Sequence, residues 1–160
     1  LDKLVAGKAD IFLLALDQVT DPHNLGACIR TAAAMGVDAV IAPRDRAASL
    51  TPTARKVAAG GAEKIAFVQV TNLSRTLAHL REQGVRVIGT LLDEQARPID
   101  QCDFKGAITV VMGAEDTGLR RLTQQQCDQT AYIPMRGDLQ SLNVSVATGM
   151  ALYEACRQRG

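Results

Sequence analysis

The segment AITVVMGAEDTG, residues 107–118, joins a run of apolar and β-branched residues to a loop bracketed by two glycines. Similar short apolar runs recur along the chain, and segments with the period of an amphipathic helix lie between them. Such continuous apolar runs are typical of strands that helices cover on both faces. The alternation therefore predicts an α/β domain with a mainly parallel sheet and helices on both faces.

The two patterns give definite bounds for the predicted elements. We expect strands at 11–17, 38–42, 66–70, 86–90, 107–113 and 131–135, and helices at 25–36, 52–59, 73–83, 118–127 and 143–158. The helix at 73–83 has the clearest signals, since Thr71 or Asn72 can cap its start and Gly84 follows its end. Three leucines share one of its faces: Leu73, Leu77 and Leu80.

Length and hydropathy predict one cytoplasmic domain. The chain has 160 residues, 47% of them apolar, which is enough for one core and too few for two. It contains neither the ~20 consecutive apolar residues of a membrane span nor the pattern of a signal peptide at its start. The polar lead-in LDKLVAGKAD starts at Leu1, so we expect residues 1–10 to be a linker from a missing N-terminal part and 11–160 to form the domain.

The cysteines and the charge exclude several kinds of site. The four cysteines lack the CxxC spacing of a zinc or redox centre and the density of a disulfide scaffold, which predicts reduced structural thiols and no metal: Cys28, Cys102, Cys127 and Cys156. A net charge of +1 gives no bulk attraction for nucleic acid, although local basic clusters exist. With three Phe, two Tyr and no Trp, an aromatic platform for stacking bases is poorly supported.

Candidate sites lie in the loops after the strands, because ligands of parallel α/β sheets bind beyond the carboxyl ends of the strands. Four of these loops are unusual: TDPHN (20–24), GTLLDEQ (89–95), GAEDTG (113–118) and PMRGDLQSLN (134–143). GAEDTG lacks the Lys and Ser/Thr of a P-loop, and its two carboxylates, Glu115 and Asp116, would repel a triphosphate. It is either a tight turn near a helix N-terminus or a loop that a neutral or cationic ligand approaches closely.

Polar residues at two helix starts allow two interpretations each. Ser141 or Asn143 can cap the last helix, but capping accounts for one of them and leaves the other unexplained. Asn24 stands just ahead of the helical pattern at 25–36, where it can also be a cap, and Arg30 follows two turns into that helix. His23 is interpreted as a turn residue rather than a general base, although histidine titrates near neutrality.

Three segments together resemble the signature motifs of the SpoU family, also called TrmH-like, of RNA ribose 2′-O-methyltransferases. They are NLGACIRTA (24–32), GAEDTG (113–118) and YIPMRGDLQSLNVSVA (132–147), and their order and separations also match over residues 11–158. The resemblance implies the SPOUT fold, with a deep trefoil knot near the C-terminus, where the strand pattern alone predicts an ordinary doubly wound sheet. It also implies S-adenosyl-L-methionine as cofactor, a homodimer, and a small RNA-recognition domain in the missing N-terminal part.

The resemblance assigns residues to two roles. The catalytic set is Asn24, Arg30, Glu115, Ser141 and Asn143, and the cofactor-binding set is Thr90, Gly113, Ile133, Met135 and Leu142. The segment LLDEQ after Thr90 departs from the small residues that related sequences often have there, so adenine packing is expected to differ.

The implied reaction is methylation of a ribose 2′-hydroxyl in RNA, at a guanosine of large-subunit (23S) ribosomal RNA. A transfer RNA target and an inactive knotted RNA-binding scaffold are the alternatives. The family's first-motif arginine has been proposed to activate the hydroxyl, but a guanidinium stays protonated in proteins. We therefore expect Arg30 to bind an RNA phosphate and stabilise developing alkoxide charge, with the identity of the base left open.

Overall fold

A parallel sheet organises the computed structural model, which describes residues 1–44, 51–114, 118–139 and 141–160. In this described part, seven strands follow one another in the order β3-β2-β1-β6-β4-β7-β5, and every pairing is parallel. The strands are β1 (Phe12–Asp17), β2 (Ala39–Pro43), β3 (Ala66–Val70), β4 (Arg86–Thr90), β5 (Arg97–Pro98), β6 (Ile108–Gly113) and β7 (Gln129–Tyr132). The predicted α/β class with a parallel sheet is confirmed.

Helices cover both faces of the sheet. They are α1 (Asp2–Ala6), α2 (Pro22–Ala34), α3 (Pro52–Ala58), α4 (Leu73–Glu82), α5 (Arg121–Gln125) and α6 (Val144–Arg159), and short 3₁₀ turns lie at Gly61–Glu63 and Ile99–Gln101. Every residue of β1 is buried. Its alternate side chains enter two cores, with Leu14 in the one that includes α2, α3 and α6 and Leu13 in the one that includes α1 and α4. This explains why β1 is apolar throughout instead of alternating.

Most predicted bounds agree with the structure within one or two residues, and α4 agrees in detail. Asn72 caps it by accepting the backbone N–H of Arg75 at 3.0 Å, and the three predicted leucines are buried. Gly84, just past its end, has φ +87°, a left-handed conformation that glycine adopts without strain.

Two predicted elements are wrong in extent. The last strand was expected at 131–135, but β7 is Gln129–Tyr132, because Gln129 and Thr130 pair with β4 whereas Pro134 has no N–H to donate. The helix expected at 118–127 is reduced to α5, because Gly118 has φ +63° and bridges to Ala114. The two-residue edge strand β5 was not predicted.

The start of α2 differs from the expected 25–36 and changes the role of Asn24. Asp21 is the N-cap and accepts the backbone N–H of His23 at 2.9 Å, and Pro22 occupies the first helical position. Asn24 therefore lies inside the first turn, so the interpretation of Asn24 as a cap is wrong. Its side chain is left for contacts outside the helix.

The lead-in at residues 1–10 is partly ordered against the domain. Val5 of α1 is buried, and the side chain of Asp2 lies 3.0 Å from Nε2 of the exposed His79 on α4. The boundary at residue 10 stays a prediction. Within the described residues, no helix combines the length and the apolar character that crossing a bilayer requires.

Candidate active site

A cavity opens at the carboxyl ends of β4, β6 and β7. Its volume is about 590 Å³, and all five predicted cofactor residues lie on its wall: Thr90, Gly113, Ile133, Met135 and Leu142. These residues come together because β6, β4 and β7 are neighbours in the sheet, so the loops that follow them meet at one edge. The predicted catalytic residue Ser141 lines the same cavity.

The wall of this cavity consists of backbone and of uncharged side chains. Among its described lining residues none is charged, and apolar members include Leu91, Met112, Leu119 and Val144. The segment LLDEQ contributes both of its leucines, and Leu92 is 73% exposed. Such a cavity suits a small molecule that is held by apolar contact and backbone hydrogen bonds.

Gly113 has no room for a side chain. A Cβ at this position would lie 2.5 Å from the carbonyl carbon and oxygen of Gly118 and 2.8 Å from the nitrogen of Leu119. The backbone after β6 therefore folds closely over the strand end and forms one wall of the cavity. The glycine-bracketed loop needs its first glycine for this close approach.

The hydroxyl of Thr90 is already engaged within the sheet. Its Oγ1 donates a hydrogen bond to the carbonyl oxygen of Val111 at 2.9 Å. A ligand in the cavity would therefore meet the backbone and methyl group of Thr90 more readily than its hydroxyl.

Asn24 and Asn143 meet at the starts of two helices. The Nδ2 amide of Asn143 donates to Oδ1 of Asn24 at 3.2 Å, which joins the first turn of α2 to the cap of α6. Asn143 is the N-cap of α6, and its Oδ1 accepts the backbone N–H of Ser145 at 2.9 Å. One amide thus caps a helix with its oxygen and binds Asn24 with its nitrogen. The alternative that Ser141 is the cap is wrong.

The remaining predicted catalytic residues are less constrained. Arg30 is exposed on α2, and it forms no hydrogen bond or ion pair with any residue that the structure describes. Glu115 lies outside the described residues. His23 is exposed in the first turn of α2. Among the described members of the predicted catalytic set, the structure therefore brings Asn24 and Asn143 into direct contact.

A buried ion pair beside the cavity was missed from the sequence. Asp17, at the end of β1, is fully buried and accepts two hydrogen bonds from Arg120, from the backbone N–H and from Nε, each at 2.8 Å. Nη2 of Arg120 also lies 2.8 Å from Oδ1 of Asp17 and completes the ion pair. Arg120 follows Leu119 of the cavity wall, so the pair fixes the end of the loop after β6. A buried aspartate at the end of an apolar strand was the available signal, but its partner lies 103 positions away.

The four cysteines, all within the described residues, are free thiols. Burial raises the pKa of Cys28 to about 11 and that of Cys127 to about 12. Both stay protonated at neutral pH, which agrees with a packing role rather than reactivity. In the described part of the chain, no group of three or more His, Cys, Asp or Glu side chains is placed to hold a metal ion.

The family of this chain follows from its match to a protein-family model. Residues 11–153 match the family model described as the SpoU rRNA Methylase family, and the chain belongs to that family.

Two curated relatives of the chain carry the same enzyme name. The chain is 73% identical over 160 residues to the 23S rRNA (guanosine-2′-O-)-methyltransferase RlmB of Acinetobacter baylyi, a match that covers 99% of this chain and 64% of that protein. It is 52% identical over 159 residues to the enzyme of the same name from Escherichia coli, covering 99% of this chain and 65% of the relative. The chain thus spans about two thirds of the length of these curated relatives, at 64% and 65%.

Solved structures share the fold. The SpoU methyltransferase AviRb from Streptomyces viridochromogenes, in complex with AdoMet, matches with a TM-score of 0.87 at 28% identity, over 99% of this chain and 64% of that one. The A. aeolicus TrmH/SpoU tRNA modifying enzyme matches with a TM-score of 0.84 at 29% identity, over 94% of this chain and 76% of that one.

Proposed function

We propose that this chain is the catalytic domain of an enzyme that transfers a methyl group from S-adenosyl-L-methionine to a ribose 2′-hydroxyl of RNA, at a guanosine of 23S ribosomal RNA. The observation that carries the proposal is the meeting of the three motif segments at one edge of the sheet, around the cavity and the Asn24–Asn143 contact. The 23S rRNA methyltransferases that share 52% and 73% of its residues support the choice of substrate.

The cavity fits the cofactor in size and chemistry. At about 590 Å³ it lies within the range of small-molecule sites, roughly 300–1,000 Å³. We assign Thr90, Gly113, Ile133, Met135 and Leu142 to binding, mostly through backbone groups and apolar contact. When bound, the cofactor supplies a methyl group on a sulfonium, which is already a good electrophile. The protein therefore needs to position the ribose and handle its proton, not to provide a strong acid or a nucleophile.

The polar residues supply that positioning. Arg30 binds an RNA phosphate beside the target and stabilises negative charge that develops on the ribose oxygen, since a guanidinium keeps its proton and donates hydrogen bonds. Asn24 and Asn143, held together by their amides, orient the ribose and Arg30. Ser141 on the cavity wall and Glu115 in the second motif complete the proposed catalytic set.

Cofactor binding is tested by calorimetric titration with S-adenosylmethionine of wild-type protein and two glycine-to-alanine variants. Gly113→Ala places a Cβ 2.5 Å from the Gly118 backbone, so the cavity wall must move, and we expect at least a tenfold weaker affinity, about 1.4 kcal/mol. Gly149→Ala on α6, where a Cβ has an ordinary contact at 3.9 Å, is the matched control. No binding by the wild type, or equal affinity of the two variants, would contradict the assignment of these residues to cofactor binding.

Catalysis is tested by methyl transfer to unmodified 23S ribosomal RNA. Arg30→Ala should abolish transfer while the cofactor affinity stays within about a factor of ten, or roughly 1.4 kcal/mol. Lys105→Ala removes an exposed cation from the loop before β6, at the amino end of a strand whose carboxyl end lines the cavity, and should transfer normally. An active Arg30→Ala enzyme would remove Arg30 from the mechanism. Methylation of transfer RNA instead of ribosomal RNA would select the alternative substrate, and cofactor binding without any transfer would favour an inactive scaffold.

The proposal includes a homodimer that forms through α6. Val146, Met150 and Tyr153 have the i, i+4, i+7 spacing of one helical stripe, and their exposed fractions are 52%, 45% and 65%. An apolar stripe on a helix whose other face packs on the core is suited to a second copy. Sedimentation of Met150→Asp should give a monomer where the wild type gives a dimer, and a monomeric wild type would contradict the proposal.

Two further parts of the proposal concern architecture. The first is a deep trefoil knot near the C-terminus, which the likeness to SpoU and TrmH structures over 94–99% of this chain supports. The second is an RNA-recognition domain upstream of a linker that ends near residue 10. The relatives' greater length supports it, because this chain covers 64% of the Acinetobacter baylyi enzyme.

A further inference from the structure

A second cleft opens at the carboxyl edge of the sheet, separate from the cofactor cavity. It has a volume of about 430 Å³ and lies between the ends of β2 and β3, the start of α4 and the helix α5. Its lining includes Thr71, Ser74, Arg120, Arg121 and Leu122. Neither the predicted catalytic set nor the predicted cofactor set has a residue in this cleft.

The cleft adjoins the proposed methyl-transfer site. Leu119 lines the cofactor cavity and the next residue, Arg120, lines the cleft, so the chain that leaves the second motif separates the two spaces. Asp17 fixes this junction by accepting two hydrogen bonds from Arg120, with which it also forms an ion pair. An extended polymer whose ribose lies at the cavity can therefore continue into the cleft.

The cleft is positively charged, and an ion pair neutralises only part of this charge. It is lined by two arginines, and none of its described lining residues is acidic. Arg120 is neutralised by Asp17, whereas the exposed Arg121 has no hydrogen bond or ion pair with any part of the chain that the structure describes. The hydroxyl of Thr71 adds a donor that suits a phosphate oxygen, whereas the hydroxyl of Ser74 already donates to Oδ1 of Asn72 at 2.8 Å.

We infer that this cleft binds a phosphodiester group of the RNA substrate, next to the target nucleotide, with Arg121 as the main contact. The inference rests on the proposed function and deepens it, since it extends the RNA-binding surface beyond Arg30 to the far side of the second motif. A phosphate contact of this kind positions the strand and reads no sequence. Arg120 and Asp17 act there as positioning residues, because they hold the backbone from which Arg121 extends.

The test is the salt dependence of RNA binding, measured without cofactor. Binding of unmodified 23S ribosomal RNA is titrated over a range of KCl concentrations for wild type, Arg121→Ala and Lys105→Ala. Loss of one phosphate contact should lower the slope of log K against log salt by about 1 in Arg121→Ala. Lys105→Ala removes an exposed cation at the amino end of β6 and should keep the wild-type slope. Arg121 is exposed and unpaired within the described residues, so its replacement should leave the fold intact.

Three results would overturn the inference. One is a wild-type slope in Arg121→Ala, and a second is a wild-type chain whose RNA binding does not depend on salt. The third is that wild-type protein binds inorganic phosphate and Arg121→Ala does not, while the salt slope of RNA binding is the same for both. That result would assign the cleft to a small anion. Methyl transfer by the wild type tests the proposed function independently. If the wild type transfers methyl groups but Arg121→Ala keeps the wild-type salt slope, only the assignment of the cleft is refuted. If the wild type is inactive but Arg121→Ala lowers the slope, only the proposed reaction is refuted.

Discussion

Asp17→Ala is expected to lower the free energy of unfolding by about 3 kcal/mol, because it removes the buried carboxylate that holds Arg120. Two hydrogen bonds and one ion-pair contact, each at 2.8 Å, are lost, and the backbone N–H of Arg120 loses its carboxylate acceptor. Breaking a buried ion pair costs about 3–5 kcal/mol. We take the lower end, since the Arg120 side chain is 36% exposed and can return to water.

Urea and thermal unfolding measure this effect. For a chain of 160 residues, about 3 kcal/mol corresponds to a fall in Tm of roughly 6–12 °C. Lys8→Ala is the matched control, because it breaks an ion pair of 2.9 Å whose lysine is 47% exposed. A surface pair of that kind contributes about 0–1 kcal/mol. If Asp17→Ala loses no more stability than Lys8→Ala, the Asp17–Arg120 pair does not hold the loop after β6 as we infer.

Three other substitutions or treatments have defined outcomes. Gly26→Ala puts a Cβ 2.4 Å from the carbonyl oxygen of Ala54, so α2 and α3 must separate, and urea unfolding should show a loss of about 1–3 kcal/mol; wild-type stability would show that the helices yield freely. Asn143→Ala removes the cap of α6 and should cost about 1 kcal/mol in the same assay, together with most of the methyl transfer, whereas full activity would exclude the Asn24–Asn143 contact from the site. At pH 8 a thiol reagent should modify the exposed Cys156 at least about tenfold faster than Cys28 or Cys127. The raised pKa values of Cys28, about 11, and Cys127, about 12, keep these two thiols protonated. Equal rates for the three cysteines would contradict the burial of Cys28 and Cys127.

Local patterns predicted the elements whose signals lie within the element itself. The apolar run of β1 and the cap, leucine stripe and terminal glycine of α4 each depend on neighbouring residues, and the structure agrees with them. The five residues that the family motifs assign to cofactor binding lie around one cavity in the described structure, and their role stays a prediction.

The features that sequence reasoning missed depend on contacts between distant parts of the chain. The bounds of β7 are set by pairing with β4, and the short α5 follows a turn that the Asp17–Arg120 pair fixes. The amide of Asn143 contacts Asn24 across 119 positions, so the sequence around either residue does not indicate this contact. The second cleft likewise requires the ends of β2 and β3 to face α5, and no local pattern contains that information.

The most direct test of methyl transfer to a ribose is the position of the label in the product RNA. Unmodified 23S ribosomal RNA is incubated with the protein and S-adenosylmethionine that carries a labelled methyl group, and the RNA is then hydrolysed in alkali. Alkaline cleavage requires a free 2′-hydroxyl, so a methylated ribose leaves a dinucleotide intact. The proposed function predicts label in an alkali-resistant dinucleotide that begins with guanosine. Label in mononucleotides, or no label from protein that binds the cofactor, would contradict it.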